Sequence, residues 1–436
     1  MNDSWLSFDQ ARDRALALDR ESGSTLGSLR IWVRDLFGRI TLYAEGFPAD
    51  DATRFEAALA LVSAQLGVYA GRPPLLRMED EFLRPLLLNA HGKEPIAEDG
   101  SSYFLERFVM GAEWLGGPLP NRPPRPPRAV LYGVKGGVGR STALAVWARH
   151  LASEHGKKVL VIDLDLEAPG VSSILLGPND RPRSGIVDWF VESAVGQGAR
   201  VLPQMVSSSP LGRGLDGSIH VAPAAGASDE GYLRKLNRVY LDLPADEGKI
   251  SFADRLADMI DGLEDAVRPD VVLLDSRAGL HDVAAVALTR LGALNLLFAV
   301  DTAQTWDGYG YLFDHWRLLW GLDRAAFDDL RARLRVVAGQ IPELHQSEYF
   351  ERTRANAYEL FSKIYDEAGP DDVDAFNYGI DADDAPHQPL KVHWNRALQE
   401  YDPQRDPGAV TPEQLRAAFG EFLERATALL VAEEDD

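Results

Sequence analysis

One stretch restricts this chain more than any other: AVLYGVKGGVGRSTALAVWARHL, residues 129–151. A short apolar run, a loop rich in glycine and a helix-forming run follow one another in that order. The run bounded by glycine predicts a buried strand, and the spacing beyond it predicts a helix. A glycine-rich turn between the two lets successive backbone N–H groups face one point, and the positive end of the helix adds to them. In this setting the loop is a cradle for phosphate. Gly136, Gly137, Val138 and Gly139 supply its backbone, and Arg140 supplies a charge. The Ser141 hydroxyl suits Mg²⁺, and the Thr142 hydroxyl an α-phosphate.

Two further segments place carboxylates beside such a loop. KKVLVIDLDLEAPG brings Asp163 and Asp165 to the end of an apolar run, with Pro169 and Gly170 breaking the chain beyond. PDVVLLDSRAGLHD puts Asp275 at the end of another, with Gly279 four residues on. Carboxylates at strand ends, facing a nucleotide, hold Mg²⁺ and its water and orient an attacking water. Gly170 and Gly279 are suited to switch segments that move with the terminal phosphate. Each carboxylate taken alone reads equally well as a solvated strand end; the loop upstream tips the balance.

Six apolar runs alternate with helical stretches after residue 128: RAVLYGV, KKVLVIDLD, SIHVAPAAG, PDVVLLDSR, LNLLFAVD and RVVAGQIP. Strands this apolar are buried on both faces, which predicts an α/β fold with a mostly parallel, doubly wound sheet flanked by helices. Ligands in that architecture sit beyond the carboxyl ends of the strands. Residues 116–128, GGPLPNRPPRPPR, read as a semi-rigid linker, or else as a ligand for a partner's groove. Residues 1–115 then form a small α+β domain of adaptor type, and residues 129–436 the larger domain, with an acidic, irregular insertion near 366–390. In the first domain, LRIWVRDLFGRITLYAEG has strand character, while DDATRFEAALALVSAQLG and SSYFLERFVMGAEWL read as helices. Trp32, Phe37, Tyr43 and Trp114 are expected in cores.

Composition removes several function classes. The chain has no cysteine, which excludes disulfides, thiolate chemistry and cysteine-held metal clusters. No run approaches the roughly 18 apolar residues of a membrane span, and the charged N-terminus does not read as a signal peptide; the expected location is cytoplasmic. The net charge is −22. Residues 1–128 hold about 15 basic and 18 acidic residues, leaving about 30 and 49 beyond. That field disfavours nonspecific nucleic-acid binding while leaving a local basic patch open. His150, His155 and His281 show no metal-ligand spacing and read as surface or packed residues, with His281 nearest a switch segment.

KGGVGRST, VLVIDLDLEAPG, IHVAPAAG and VVLLDSRAGL together resemble the deviant Walker P-loop ATPases of the ParA/MinD type, over about residues 128–345. The DSRAG segment further resembles a branch found in bacterial multi-component systems. The resemblance implies ATP and Mg²⁺ as ligands, and an ATP-dependent homodimer in which Lys135 reaches the partner's phosphates. It implies that Asp165 positions the attacking water and that Ser141, Asp163 and Asp275 serve the magnesium site. Arg140 departs from the family, which has lysine there. Arginine keeps the charge in a longer, planar form, so binding is expected to persist with slow turnover. Asp301 through Gln304 are expected near the nucleotide or the dimer seam, with Trp306 and Tyr309 packing their helix. The C-terminal FGEFLERATALLVAEEDD is acidic, the wrong sign for a MinD-type membrane tail. The expected role is a switch controlling an unidentified protein partner, docked through the N-terminal domain. The alternatives are a non-hydrolysing ATP-bound scaffold and a positioning ATPase acting on DNA or a membrane.

Overall fold

The computed structural model describes the chain apart from residues 1–5, 48–50, 79–82, 91, 108–110, 120–124, 169, 228–230, 246–248, 368–374, 400 and 433–436. The middle of the proline-rich segment, Pro169 and part of the acidic stretch near 366–390 thus lie outside the described residues. Two compact units emerge: Met1–Ala112 with Leu318–Arg324, and Glu113–Arg317 with Ala325–Asp436.

The first unit is a five-stranded mixed sheet, ordered Ala70–Arg77, Ile40–Ala44, Arg30–Arg34, Ser102–Glu106, Lys93–Pro95. Side chains alternate across it. Trp32, Leu42 and Phe104 meet helices Phe8–Leu26 and Ala52–Leu66, while Ile31, Val33 and Leu105 meet Leu87 on the opposite face. Asp19 accepts from Arg30 Nε at 3.0 Å and from Trp32 Nε1 at 2.6 Å, which settles a buried charge inside this small core. Two expectations fail in this unit. The segment SSYFLERFVMGAEWL is not one helix: Ser102–Glu106 is a strand pairing in parallel with Arg30–Arg34, and Ala112–Leu115 is a short 3₁₀ turn. Pairing to an already formed neighbour overrides the local helical spacing. Phe37 is not core but 85% exposed, since it tips a tight turn closed by Gly38 N–H to Asp35 O. Trp32 is buried as expected and Tyr43 is half-buried, while Trp114 is buried in the second unit against Tyr132 and Trp316.

The second unit is built on an eight-stranded sheet, ordered Leu390–His393, Leu334–Ile341, Leu294–Ala299, Arg128–Tyr132, Val271–Asp275, Lys158–Asp163, Ser218–Ala222, Ser207–Ser208. Neighbouring strands run parallel except at the last pair. All six expected runs are strands; Leu390–His393 and Ser207–Ser208 are too short to have signalled themselves. Ala129, Leu131, Val161, Leu273 and Phe298 pack on one face against helices Arg140–Glu154 and Pro412–Ala432. Their alternate neighbours Val130, Tyr132, Ile162 and Leu274 are equally buried, so both faces are covered, as a parallel sheet requires. Trp147 joins the two helices to each other, meeting Phe422 edge-on and donating from Nε1 to Thr427 Oγ1 at 3.0 Å. The chain leaves the central strand Arg128–Tyr132, fills one side of the sheet, returns beside it, and then crosses to the other side. That crossing opens a crevice at the carboxyl ends, where α/β ligands bind.

Arg128 fixes the start of the central strand. It donates from Nε to Glu264 at 2.7 Å, from Nη2 to Asp261 at 2.7 Å and from Nη1 to the Leu291 carbonyl at 3.2 Å, all buried. Replacing it by alanine removes the nearest donors of two buried carboxylates and leaves them Arg125 at 3.5 and 3.7 Å, so Arg128→Ala should lower stability by about 2–4 kcal/mol in urea unfolding. A loss below about 1 kcal/mol would show that solvent reaches those carboxylates.

Candidate phosphate-loop site

The central strand ends at Tyr132 and helix Arg140–Glu154 begins eight residues later. Between them Gly137 and Gly139 adopt φ of +74° and +86°, a region that a side chain would strain. Gly139 caps the helix without any side-chain bond to its first N–H groups, so those donors remain for an anion. Val138 turns inward and is 2% exposed, anchoring a loop whose flanking Gly136 and Gly137 lie at the surface. Ser141 and Thr142, in the first turn of the helix, are half-buried. Lys135 is half-exposed and has no ion-pair partner among the described residues.

The carboxylates gather beside this loop because their strands are neighbours. Asp163 and Asp275 stand directly opposite in the parallel register, and both are fully buried. Asp163 is satisfied within the chain: Oδ2 accepts from the Ser172 hydroxyl at 2.6 Å and N–H at 3.1 Å, and Oδ1 from the Asp165 N–H at 3.2 Å. Burial, with Asp275 adding to it, pushes the Asp163 carboxyl up to about 7 against the pull of Ser172. Arg140 reaches across both strands. Its Nε donates to Asp275 Oδ1 at 2.7 Å and its Nη2 to Asp165 Oδ2 at 3.3 Å. Burial works against the charge of Arg140, but Asp275 and then Asp165 outweigh it and raise its pKa. Burial likewise raises Asp165, against Arg140.

The second oxygen of Asp275, Oδ2, is buried without a hydrogen-bond partner among the described residues. Gly170 lies over it: a Cβ there would stand 3.1 Å from Ser141 Oγ and 3.7 Å from Asp275 Oδ2. A hydroxyl and an orphaned carboxylate oxygen therefore converge on space that any larger residue at 170 would fill. Hard oxygen donors of this kind fit Mg²⁺ held by few protein ligands. No group of three or more His, Asp or Glu poised for a metal occurs among the described residues.

Gly279 is tied to the central strand from both sides, its N–H donating to Gly133 O at 3.1 Å and its carbonyl accepting from the Tyr132 hydroxyl at 3.1 Å. Asp301 is held by Trp306 Nε1 at 3.1 Å, Arg352 Nε at 2.8 Å and Asn356 Nδ2 at 3.1 Å. Tyr309 is buried and donates to Phe298 O at 2.8 Å. His281 packs on Tyr240, with Nε2 3.8 Å from Glu167, and burial lowers its pKa. Three partners were not read from the sequence. Ser172 binds Asp163 from a helix nine residues on, Glu167 pairs with Arg277 between the two aspartate-bearing loops, and Gln340 donates to the loop carbonyl of Gly137 at 2.6 Å. No local signal marked the last, which lies inside the apolar run RVVAGQIP.

No family model and no curated protein matches the sequence. Among solved structures the chain is similar to a ParA family ATPase from Chlorobium tepidum, at 16% identity and a TM-score of 0.43, covering 68% of this chain and 98% of that one. It is similar to the pNOB8 ParA solved bound to nonspecific DNA, at 16% identity and TM-score 0.45, covering 71% and 99%. The MinD cell division protein of Aquifex aeolicus gives 15% identity and TM-score 0.40, covering 69% and 97%.

Arg140 neutralises carboxylates that would otherwise face one another in a buried space. Arg140→Ala should therefore lower stability by about 3–5 kcal/mol near pH 8. Arg140 holds the Asp165 carboxyl down against burial, so losing the cation raises that carboxyl further; the folded variant then holds more protons than its unfolded chain, and its stability falls as pH rises. The deficit should shrink towards about pH 5, where protons replace the guanidinium; urea unfolding at both pH values checks this. Equal deficits would mean that Arg140 acts by packing alone.

Proposed function

We propose that the chain is a nucleotide-operated switch of the ParA/MinD type, which binds ATP in the 133–142 loop, hydrolyses it slowly and controls a protein partner in the cytoplasm. The observation that carries this reading is the meeting of four features at one sheet edge. These are the uncapped, glycine-turned helix start, the buried Arg140 fork, Asp165, and the orphaned Asp275 Oδ2 beside Ser141. Backbone N–H groups of Gly136, Gly137, Val138 and Gly139, with Thr142, would hold the phosphates. Ser141 and Asp275 would hold Mg²⁺, which when bound would screen the phosphate charge, and Asp163 would serve the same site from the adjacent strand.

Arg140 has a reason to be arginine in this arrangement. A guanidinium carries five N–H donors in a plane. Two of them serve Asp275 and Asp165, and those on Nη1 remain for phosphate. A lysine ammonium is a point charge that cannot span the same fork. The same bond restrains Asp165, the residue proposed to orient the attacking water, which accounts for slow turnover. Lys135, half-exposed and without an ion-pair partner among the described residues, would reach the phosphates of a second subunit in an ATP-bound homodimer. The 1–112 unit carries none of these groups and would serve as the docking module for the partner.

Purified protein should release phosphate from ATP slowly and only with Mg²⁺. Asp165→Ala should abolish release while leaving ATP binding within about threefold of wild type. Wild-type release no faster than that variant's would leave ATP as a structural ligand only. Light scattering should show a dimer with ATP and a monomer without it. Lys135→Ala should lose both the dimer and most turnover, and a variant that dimerises and hydrolyses normally would overturn the trans role.

A further inference from the structure

Gln340 stands inside the strand Leu334–Ile341, yet its φ is +53°. The other non-glycine residues with positive φ among the described residues, Arg268 and His345, are helix-end caps. A left-handed residue within a strand costs about 1–2 kcal/mol, and here it coincides with a register shift against the neighbouring strand between Ala338 and Ile341. The distortion turns the side chain towards the phosphate loop. Its Nε2 donates to Gly137 O at 2.6 Å, and because the partner is a carbonyl the amide must present its NH₂.

The residue before it makes the same approach with its backbone. A Cβ on Gly339 would lie 3.0 Å from Val138 O, so two successive loop carbonyls face the 339–340 segment. That segment is braced from behind: the Tyr349 hydroxyl donates to Gly339 O at 2.8 Å and accepts from the Asp301 N–H at 2.9 Å. In a planar trans peptide the C=O and N–H point to opposite sides. Holding the Gly137 and Val138 carbonyls outward therefore turns the N–H groups of Val138 and Gly139 to the inner side of the loop.

Resting on the reading of this loop as an ATP site, we infer that Gln340 is a positioning residue for nucleotide. It fixes the Gly137–Val138 peptide so that its N–H meets phosphate. The left-handed backbone is the conformation from which the side chain reaches that carbonyl.

Two substitutions test the inference. Gln340→Gly relieves the backbone and removes the donor, so thermal stability without nucleotide should hold or rise while ATP affinity falls about 3- to 10-fold. Gln340→Glu keeps the shape, replaces the donor by an acceptor and adds a negative charge, and should weaken ATP at least as much. Titration with a fluorescent ATP analogue, alongside steady-state phosphate release, should show the loss in affinity and KM with kcat within about twofold of wild type. Wild-type affinity in both variants would overturn the inference alone. Failure of the unaltered protein to bind the analogue would overturn the reading beneath it as well.

Discussion

The second unit depends on one buried electrostatic arrangement, the Arg140 guanidinium set between Asp275 and Asp165 with Asp163 alongside. Parallel pairing of two adjacent strands forces Asp163 and Asp275 together at full burial, and there burial, with the Asp275 charge beside it, disfavours the ionisation of Asp163. The structure answers in two ways. Ser172 and the Asp165 N–H satisfy Asp163 with hydrogen bonds, while Arg140 supplies the cation that Asp275 and Asp165 need. The left-handed glycines of the loop bring the helix start, and with it Arg140, to the level of those strand ends.

The same arrangement explains why the site is incomplete as a closed polar network. Asp275 Oδ2 is left without a donor among the described residues, under a glycine and beside a serine hydroxyl. A buried unpaired carboxylate oxygen is costly, and native proteins retain such groups where function uses them. Stability and chemistry therefore draw on one set of residues: the cation that keeps the strand ends folded also restrains the carboxylate proposed to orient water.

Much of the fold was legible because apolar runs flanked by glycine leave few options. Six strands of the large sheet and the helix after the loop stood out, as did Gly137, Gly139, Arg140, Asp163, Asp165 and Asp275. What escaped was what short or paired segments conceal. Ser102–Glu106 carries a helical spacing overridden by its pairing with Arg30–Arg34. Leu390–His393 has only four residues, and Phe37 reads as core from its chemistry although its turn points it to solvent. The compaction of Leu318–Arg324 with the first unit has no local signature at all.

By itself the sequence determined a glycine-rich loop between a strand and a helix, carboxylates at the ends of apolar runs, and the order in which they come. Local spacing suffices for that, since glycine, strand and helix preferences act over a few residues. Only the tertiary structure decided what Arg140 holds. Asp275 lies 135 residues away from it and Asp165 lies 25, and no local preference joins them; the strand order of the sheet does. The contact of Gln340 was decided in the same way, 203 residues from the carbonyl it grips, beside a register shift between Ala338 and Ile341.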